Sequence, residues 1–98
     1  MAITVVSRWK GKQEEALPIA KEAAPIFKNH GATAFRFGYC HSGPYAGQLF
    51  AAVIYPDGET YGRATQAMWE DPQSQRLLAE ASKVAELQER SVIITQDL

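Results

Sequence analysis

Gln48-Leu49-Phe50-Ala51-Ala52-Val53-Ile54-Tyr55 is the stretch that decides the fold. It is an apolar run of strand length, with a turn-rich loop before it and a Pro-Asp-Gly turn after it. Successive side chains of a strand point to opposite faces, so Leu49 and Val53 share one face while Phe50 and Ile54 share the other. An antiparallel sheet with one solvated face would alternate apolar and polar residues, and this strand does not. Both faces of the sheet therefore need cover.

Three further strands and three helices are predicted around this stretch. β-branched residues indicate the strands, and apolar residues at helical spacing indicate the helices. The predicted strands cover Ala2–Trp9, Thr33–Cys40, Gln48–Tyr55 and Ser91–Gln96, and the predicted helices cover Gln13–His30, Glu59–Glu70 and a segment that begins at Asp71-Pro72.

Several residues mark the ends of these helices. Asp57 and Asp71 suit the N-caps of the second and third helices, and Gly31 suits the left-handed position after the first. Pro18 and Pro25 lie inside the first helix, so we expect it to begin late or to bend at Pro25. The third helix is expected to bury a stripe formed by Leu77, Leu78, Ala81, Val84 and Ala85.

The order of elements, β-α-β-β-α-α-β, predicts an α+β fold of the ferredoxin-like type. Right-handed crossovers place all helices on one face of a four-stranded antiparallel sheet. No helix remains to cover the apolar residues of the other face, and an exposed apolar patch of that size invites association. We therefore expect residues 1–98 to form a single domain that dimerises into an α+β barrel, with the two sheets facing each other.

Composition excludes several classes of partner. Ten basic and eleven acidic side chains give a net charge of -1, and no basic run is present, so nucleic acid and anionic membrane are not expected partners. No apolar stretch approaches the ~18 residues that span a bilayer, and no signal peptide is evident, so we expect a cytoplasmic protein. The single cysteine, Cys40, excludes an intrachain disulfide, and we expect its thiol to be buried and inert.

Aromatic side chains are the strongest candidates for a binding site. Tyr61 and Trp69 lie on the second helix, and each has a polar group that needs a partner when it is buried. Tyr39 shares a strand face with two phenylalanines that are expected in the core, as is Met68. Trp9 lies between two cationic residues and is expected to be more exposed than Trp69.

Two charged or titratable residues complete the list of candidates. Arg36 alternates with two phenylalanines and so points to the other face, where it could pair with an acidic group across the dimer interface or hold an anionic ligand. His30 lies at the end of the first helix, where a cationic His complements the helix dipole. Neither His30 nor His41 has further ligands at metal-binding spacing, so we expect no metal and no haem.

Three short segments carry a family resemblance: Asn29-His30-Gly31-Ala32, Tyr61-Gly62-Arg63 and Trp69-Glu70-Asp71-Pro72. By their order and spacing the chain resembles the dimeric α+β barrel superfamily. That superfamily includes stress-responsive barrel proteins, NIPSNAP-like proteins and antibiotic-biosynthesis monooxygenases. The resemblance implies a homodimer, but it leaves the activity open because this fold serves many functions.

The resemblance also bears on the candidate site. Its monooxygenase members act on aromatic polyketides without a cofactor and use a Trp and an Asn in the pocket. Trp69 matches that Trp, whereas Thr65 replaces Asn one turn earlier. Three functions stay open: binding of a small apolar or aromatic metabolite, cofactor-independent oxygenation, isomerisation or cyclisation, and a packed structural dimer. The proposed ligand-binding residues are Tyr61, Trp69, Tyr39, Arg36 and His30, with no cofactor.

Overall fold

The computed structural model describes all 98 residues as a four-stranded antiparallel sheet with three helices. The strands pair in the order β2-β3-β1-β4, as the ferredoxin-like prediction requires. The elements are β1 (Ala2–Gly11), α1 (Gln13–Asn29), β2 (Ala34–Tyr39), β3 (Leu49–Tyr55), α2 (Gly58–Glu70), α3 (Pro72–Val84) and β4 (Ala85–Thr95).

The core lies between the helices and one face of the sheet. Ile3 of β1 pairs with Tyr55 of β3, and all three helices cover the face on which these side chains lie. Ala64 of α2 packs against them and is 2% exposed. A second group joins α1 to α3 through Ile26 and Leu77. The predicted division of β3 into two apolar faces is therefore confirmed.

The predicted helix caps are confirmed. The Asp57 carboxylate accepts a hydrogen bond from the backbone N–H of Thr60 at 2.7 Å, and the Asp71 carboxylate accepts one from Gln73 at 3.0 Å. Gly31 follows α1 with a φ of 99°, a conformation that residues with a Cβ rarely adopt. The closely packed end of α1 therefore requires glycine.

Of the two alternatives expected for α1, the late start is wrong, and the bend at Pro25 stays a prediction. The helix begins at Gln13 and includes both Pro18 and Pro25. The two prolines are seven residues apart, so they lie on the same side of the helix, and both are exposed. Water can therefore hydrogen-bond the carbonyl groups that they leave without a partner.

No helix of the fold is both long and apolar enough to cross a membrane.

Strand β4 is almost twice as long as predicted, because it begins at Ala85 directly after α3. The sequence Glu-Leu-Gln-Glu-Arg favours a helix locally, but here it pairs along the whole of β1. A β-bulge interrupts the pairing: Arg8 pairs with Glu89, whereas Trp9 pairs with Leu87. Gln88 therefore has no partner on β1.

The stripe predicted for α3 is buried only in part. Leu77 is buried, whereas Leu78 is 46% exposed and Ala81 and Val84 are half-buried. Ala85 belongs to β4 and not to α3. These side chains are incompletely buried because a cavity, and not close packing, separates α3 from the sheet.

The other face of the sheet, here called the open face, has no helix over it. Its apolar side chains include Val6, Phe50, Ala52 and Ile54. At one end, the Arg8 guanidinium lies 3.8 Å from the centre of the Tyr45 ring, and its Nη1 donates a hydrogen bond to Gln48 Oε1 at 2.6 Å.

Candidate functional site

A cavity of about 380 Å³ lies between the sheet and the helices. Of the 27 residues that line it, 22 are hydrophobic, and they come from all three helices and from all four strands. Small-molecule sites are typically about 300–1,000 Å³ in volume and mainly apolar. The cavity therefore has the size and the chemistry of a ligand site.

Tyr61 and Trp69, both predicted site residues, line this cavity. The Tyr61 ring packs against Tyr55 with 5.6 Å between ring centres and 58° between ring planes. Trp69 lies at the end of α2 and is 72% exposed, so its indole borders the cavity without being part of the core. Thr65, one turn before Trp69, donates its hydroxyl proton to the Tyr61 carbonyl at 2.9 Å.

Trp9 is placed differently from the sequence expectation. It is half-buried and lines the cavity, and of the two tryptophans it is Trp69 that is exposed. Trp9 shares the helix-covered side of β1 with Ser7, and its Nε1 donates a hydrogen bond to Ser7 Oγ at 2.9 Å. The alternation of Ile3, Val5, Ser7 and Trp9 along β1 is the sequence signal that could have identified both.

The phenylalanines of β2, which were expected in the core, line the cavity. Phe35 and Phe37 are both half-buried. The Phe35 ring stacks on Phe27 of α1 with 5.3 Å between ring centres and 13° between planes. Met68 of α2 packs on the cluster that joins α1 to α3 and also faces the cavity. Phe35 and Met68 are packed against the core and also form the cavity surface, whereas Phe37 lines the cavity without belonging to either core group.

The other three predicted site residues lie away from the cavity. Tyr39 points to the helix side at the far end of β2 and is 54% exposed. Arg36 is exposed on the open face, where it pairs in register with Ala52 and forms no ion pair within this chain. His30 lies at the end of α1, with its Nε2 3.5 Å from Asp71 Oδ2.

Asp71 and Tyr55 both have a shifted pKa. The hydroxyl of Ser74 and the backbone N–H of Gln73 hold the pKa of Asp71 below its usual value, and His30 adds to this effect. Burial raises the pKa of Tyr55, and the neighbouring Tyr61 raises it further. The Tyr55 hydroxyl therefore stays neutral to a higher pH than that of a free tyrosine, and it can donate a hydrogen bond at the surface of the cavity.

Arg90 of β4 is the only charged residue that lines the cavity. No histidine or carboxylate lines it, and no three His, Cys, Asp or Glu side chains of the chain form a metal-binding group. Sequence reasoning missed Arg90 because that segment was not recognised as strand.

Cys40 lies outside the cavity. It is half-buried, with its Sγ 2.9 Å from the Ser42 carbonyl oxygen.

The order of the strands, the helices on one face and the cavity beneath them define an α+β protein of the ferredoxin-like type. The NIPSNAP family model matches residues 9–97. The chain belongs to the NIPSNAP family. No curated protein matches the chain.

Solved structures share the fold at low sequence identity. SnoaB, a cofactor-independent oxygenase from Streptomyces nogalater, is 13% identical with a TM-score of 0.75, over 99% of this chain and 95% of that one. A NIPSNAP family protein from Agrobacterium tumefaciens is 17% identical with a TM-score of 0.71, over 98% and 87%. A dimeric ferredoxin-like protein from an uncultured marine organism is 15% identical with a TM-score of 0.67, over 98% of each chain.

Proposed function

We propose that this protein is a cytoplasmic homodimer that binds a small apolar or aromatic molecule in the cavity between its sheet and its helices. The observation that supports this proposal is the cavity itself, about 380 Å³ of apolar space in a chain of only 98 residues. A packed structural dimer would close such a space, because protein interiors normally reach the packing density of organic crystals. Phe35, Tyr61 and Trp69 supply aromatic surfaces against which a planar ligand can stack.

The proposed dimer interface is the open face. Phe50, Ala52 and Ile54 form an apolar surface that no element of this chain covers. The structural neighbour described as a dimeric ferredoxin-like protein supports dimerisation. Two chains meeting through this face would leave the helices, and so both cavities, on the outside of the dimer.

Cofactor-independent oxygenation is a second candidate, and the structural neighbour SnoaB is the observation that favours it. The residues that line the cavity are better suited to binding a ligand than to catalysing its oxygenation. None of them is a histidine or a carboxylate that could take a proton from a substrate. The hydroxyl of Thr65, which lies one turn before Trp69, is hydrogen-bonded to the helix backbone. Binding is therefore the proposal that the geometry supports better.

A cavity-filling substitution tests the binding proposal. N-phenyl-1-naphthylamine is a neutral probe whose fluorescence rises in apolar surroundings, and we expect the native protein to bind it. Ala51→Phe places a ring on the strand surface beneath the cavity and should abolish this signal. Ala79→Phe makes the same change at an exposed position of α3 outside the cavity and should leave the signal unchanged. Equal binding by both variants would show that the probe binds elsewhere.

A further inference from the structure

The cavity has a polar end, formed by Ser7 on β1 and Arg90 on β4. The two residues are directly paired in the antiparallel register, and both lie on the side of the sheet that faces the helices. Side chains paired in this way have Cβ atoms about 4.5–5.5 Å apart. One ligand group can therefore reach both of them.

Ser7 presents a free hydrogen-bond donor. Its Oγ accepts a hydrogen bond from Trp9 Nε1 at 2.9 Å, and its own O–H has no acceptor in the chain. A serine hydroxyl carries one donor in addition to its lone pairs. Ser7 is 9% exposed, so this donor lies at the surface of the cavity with little access to bulk water. The indole of Trp9 fixes the oxygen in place.

Arg90 presents an unpaired positive charge. Three of the five arginines, Arg8, Arg63 and Arg76, form ion pairs with glutamates, whereas Arg90 forms neither an ion pair nor a side-chain hydrogen bond. Its guanidinium offers several hydrogen-bond donors in one plane. Arg90 is also exposed, so the charge is hydrated until a ligand arrives.

Three other polar side chains around the cavity are engaged within the chain, whereas the hydroxyls of Tyr55 and Tyr61 are neutral and form no hydrogen bond in it. Thr65 donates to the Tyr61 carbonyl, Gln75 donates to backbone carbonyls of α2, and the Ser74 hydroxyl donates to Asp71. The cavity end at Ser7 and Arg90 therefore has donors with no acceptor of its own. A group that only accepts hydrogen bonds and carries negative charge satisfies both donors, whereas a neutral hydrocarbon satisfies neither.

We propose that the cavity selects aromatic molecules that carry an anionic oxygen group, such as aromatic carboxylic acids, and that Arg90 and Ser7 bind that group. This proposal rests on the proposed function, since it assumes that the cavity binds an aromatic ligand. The aromatic part of the ligand lies along the apolar surface of the sheet. Its anionic group lies over the paired residues Ser7 and Arg90, on the side of the sheet that faces the helices. Arg90 and Ser7 thus determine specificity, and the apolar residues supply the rest of the affinity.

Two fluorescent probes with the same skeleton test the proposal. 8-Anilinonaphthalene-1-sulfonate carries an anionic group, and N-phenyl-1-naphthylamine lacks it. We expect the native protein to bind the anionic probe more tightly. Arg90→Gln should weaken binding of the anionic probe by about tenfold or more, the usual effect of losing a charge-assisted hydrogen bond, and should change binding of the neutral probe by less than about twofold. Ser7→Ala should weaken only the anionic probe, by about threefold to tenfold.

Arg36→Gln is the matched control, because Arg36 is also an arginine without an ion pair but lies on the open face. It should leave the binding of both probes unchanged. An equal loss with Arg36→Gln and Arg90→Gln would overturn the proposal, since the effect would then reflect net charge alone. If Arg90→Gln fails to fold in a thermal melt, Arg90→Met replaces it, since it also removes the charge; unchanged binding of the anionic probe by that variant overturns the proposal.

The outcomes separate the two proposals. If the neutral probe binds in the cavity and Arg90→Gln does not affect the anionic probe, the selection of anions is wrong while the binding function stands. If neither probe binds to the native protein, or if Ala51→Phe affects neither, the binding function itself fails.

Discussion

His30 at the end of α1 and Asp71 at the start of α3 lie 3.5 Å apart, measured between Nε2 and Oδ2. Asp71 also accepts hydrogen bonds from the backbone N–H of Gln73 and the hydroxyl of Ser74, so one carboxylate both caps α3 and joins it to α1. These contacts involve the ionised form of Asp71. The junction of the three helices is therefore sensitive to the charge of a single side chain.

Asp71→Asn should lower the melting temperature at pH 7, because asparagine retains the capping oxygen but loses the charge. The pKa of Asp71 in the folded protein is held below 3.8, the usual value for an aspartate. The stabilisation by the charge is therefore fully present above that value, and it is lost as the pH falls through the folded pKa. Melts of native protein and Asp71→Asn should converge in acid; a gap that stays constant from pH 7 to pH 2 would contradict the charge effect.

Trp69 and Leu49 should respond very differently to truncation. Trp69 is 72% exposed, so Trp69→Ala should change the free energy of unfolding by about 0.5 kcal/mol or less. Leu49 is 1% exposed, so Leu49→Ala should cost about 2–5 kcal/mol. Thermal melts at one fixed protein concentration measure both changes, since dimerisation alters the apparent stability. A large loss with Trp69→Ala would place its indole in the core or in an interface.

Trp9 should be the better reporter of a ligand within the cavity. Its indole lines the cavity and bonds Ser7, whereas Trp69 borders the cavity and is largely exposed. Quenching of tryptophan fluorescence by the neutral naphthylamine probe should therefore persist in Trp69→Phe and fall strongly in Trp9→Phe. The reverse result would place the ligand at the outer edge of the cavity, beside α2.

Ile54→Lys should separate the proposed dimer. Ile54 lies on the open face, where a lysine remains hydrated in a monomer but is buried in a dimer, at a considerable desolvation cost. Sedimentation at low micromolar concentration should show twice the chain mass for the native protein and for the control Ile54→Val. It should show a shift toward the monomer for Ile54→Lys. A native protein that sediments as a monomer would remove the proposed interface.

Gly31 and Gly62 should respond in opposite directions to substitution by alanine. Gly31 has a φ of 99°, and an added Cβ would lie 2.6 Å from Thr60 Cγ2, so Gly31→Ala should destabilise the fold by about 1–3 kcal/mol. Gly62 lies inside α2 with open space around it, so Gly62→Ala should stabilise by about 0.5–1 kcal/mol. Denaturant unfolding measures both; similar values for the two variants would contradict this account of Gly31.

The sequence was sufficient to predict the element order and the faces of the sheet. The run Leu49–Tyr55 is apolar on both sides, and the caps at Asp57 and Asp71 are local signals that depend on a few neighbouring residues. The start of β4 could not be predicted in this way. Residues 85–90 have helical propensity, and only pairing with β1, which is distant in the sequence, holds them extended.

The candidate site was predicted only in part, because some of its residues lie on segments whose structure depends on distant pairing. Tyr61 and Trp69 could be assigned because the period of α2 fixes their direction, and both line the cavity. Arg90 lies before the predicted start of the last strand, so the sequence did not indicate on which face of the sheet its side chain lies. His30 was considered as a ligand-binding residue, but its partner is the N-cap Asp71, and only the packing of α1 against α3 brings the two together.

The bulge in β4 changes which side chains of that strand point toward the helices. Ala85 and Arg90 are five positions apart, and in an uninterrupted strand such residues would point in opposite directions. Because Gln88 is left without a partner, both instead line the cavity. If the same residues paired with β1 from Ala85 onward without a bulge, the Arg90 guanidinium would point toward the open face. The bulge at Gln88 thus determines whether this cation belongs to the ligand cavity or to the opposite surface of the sheet.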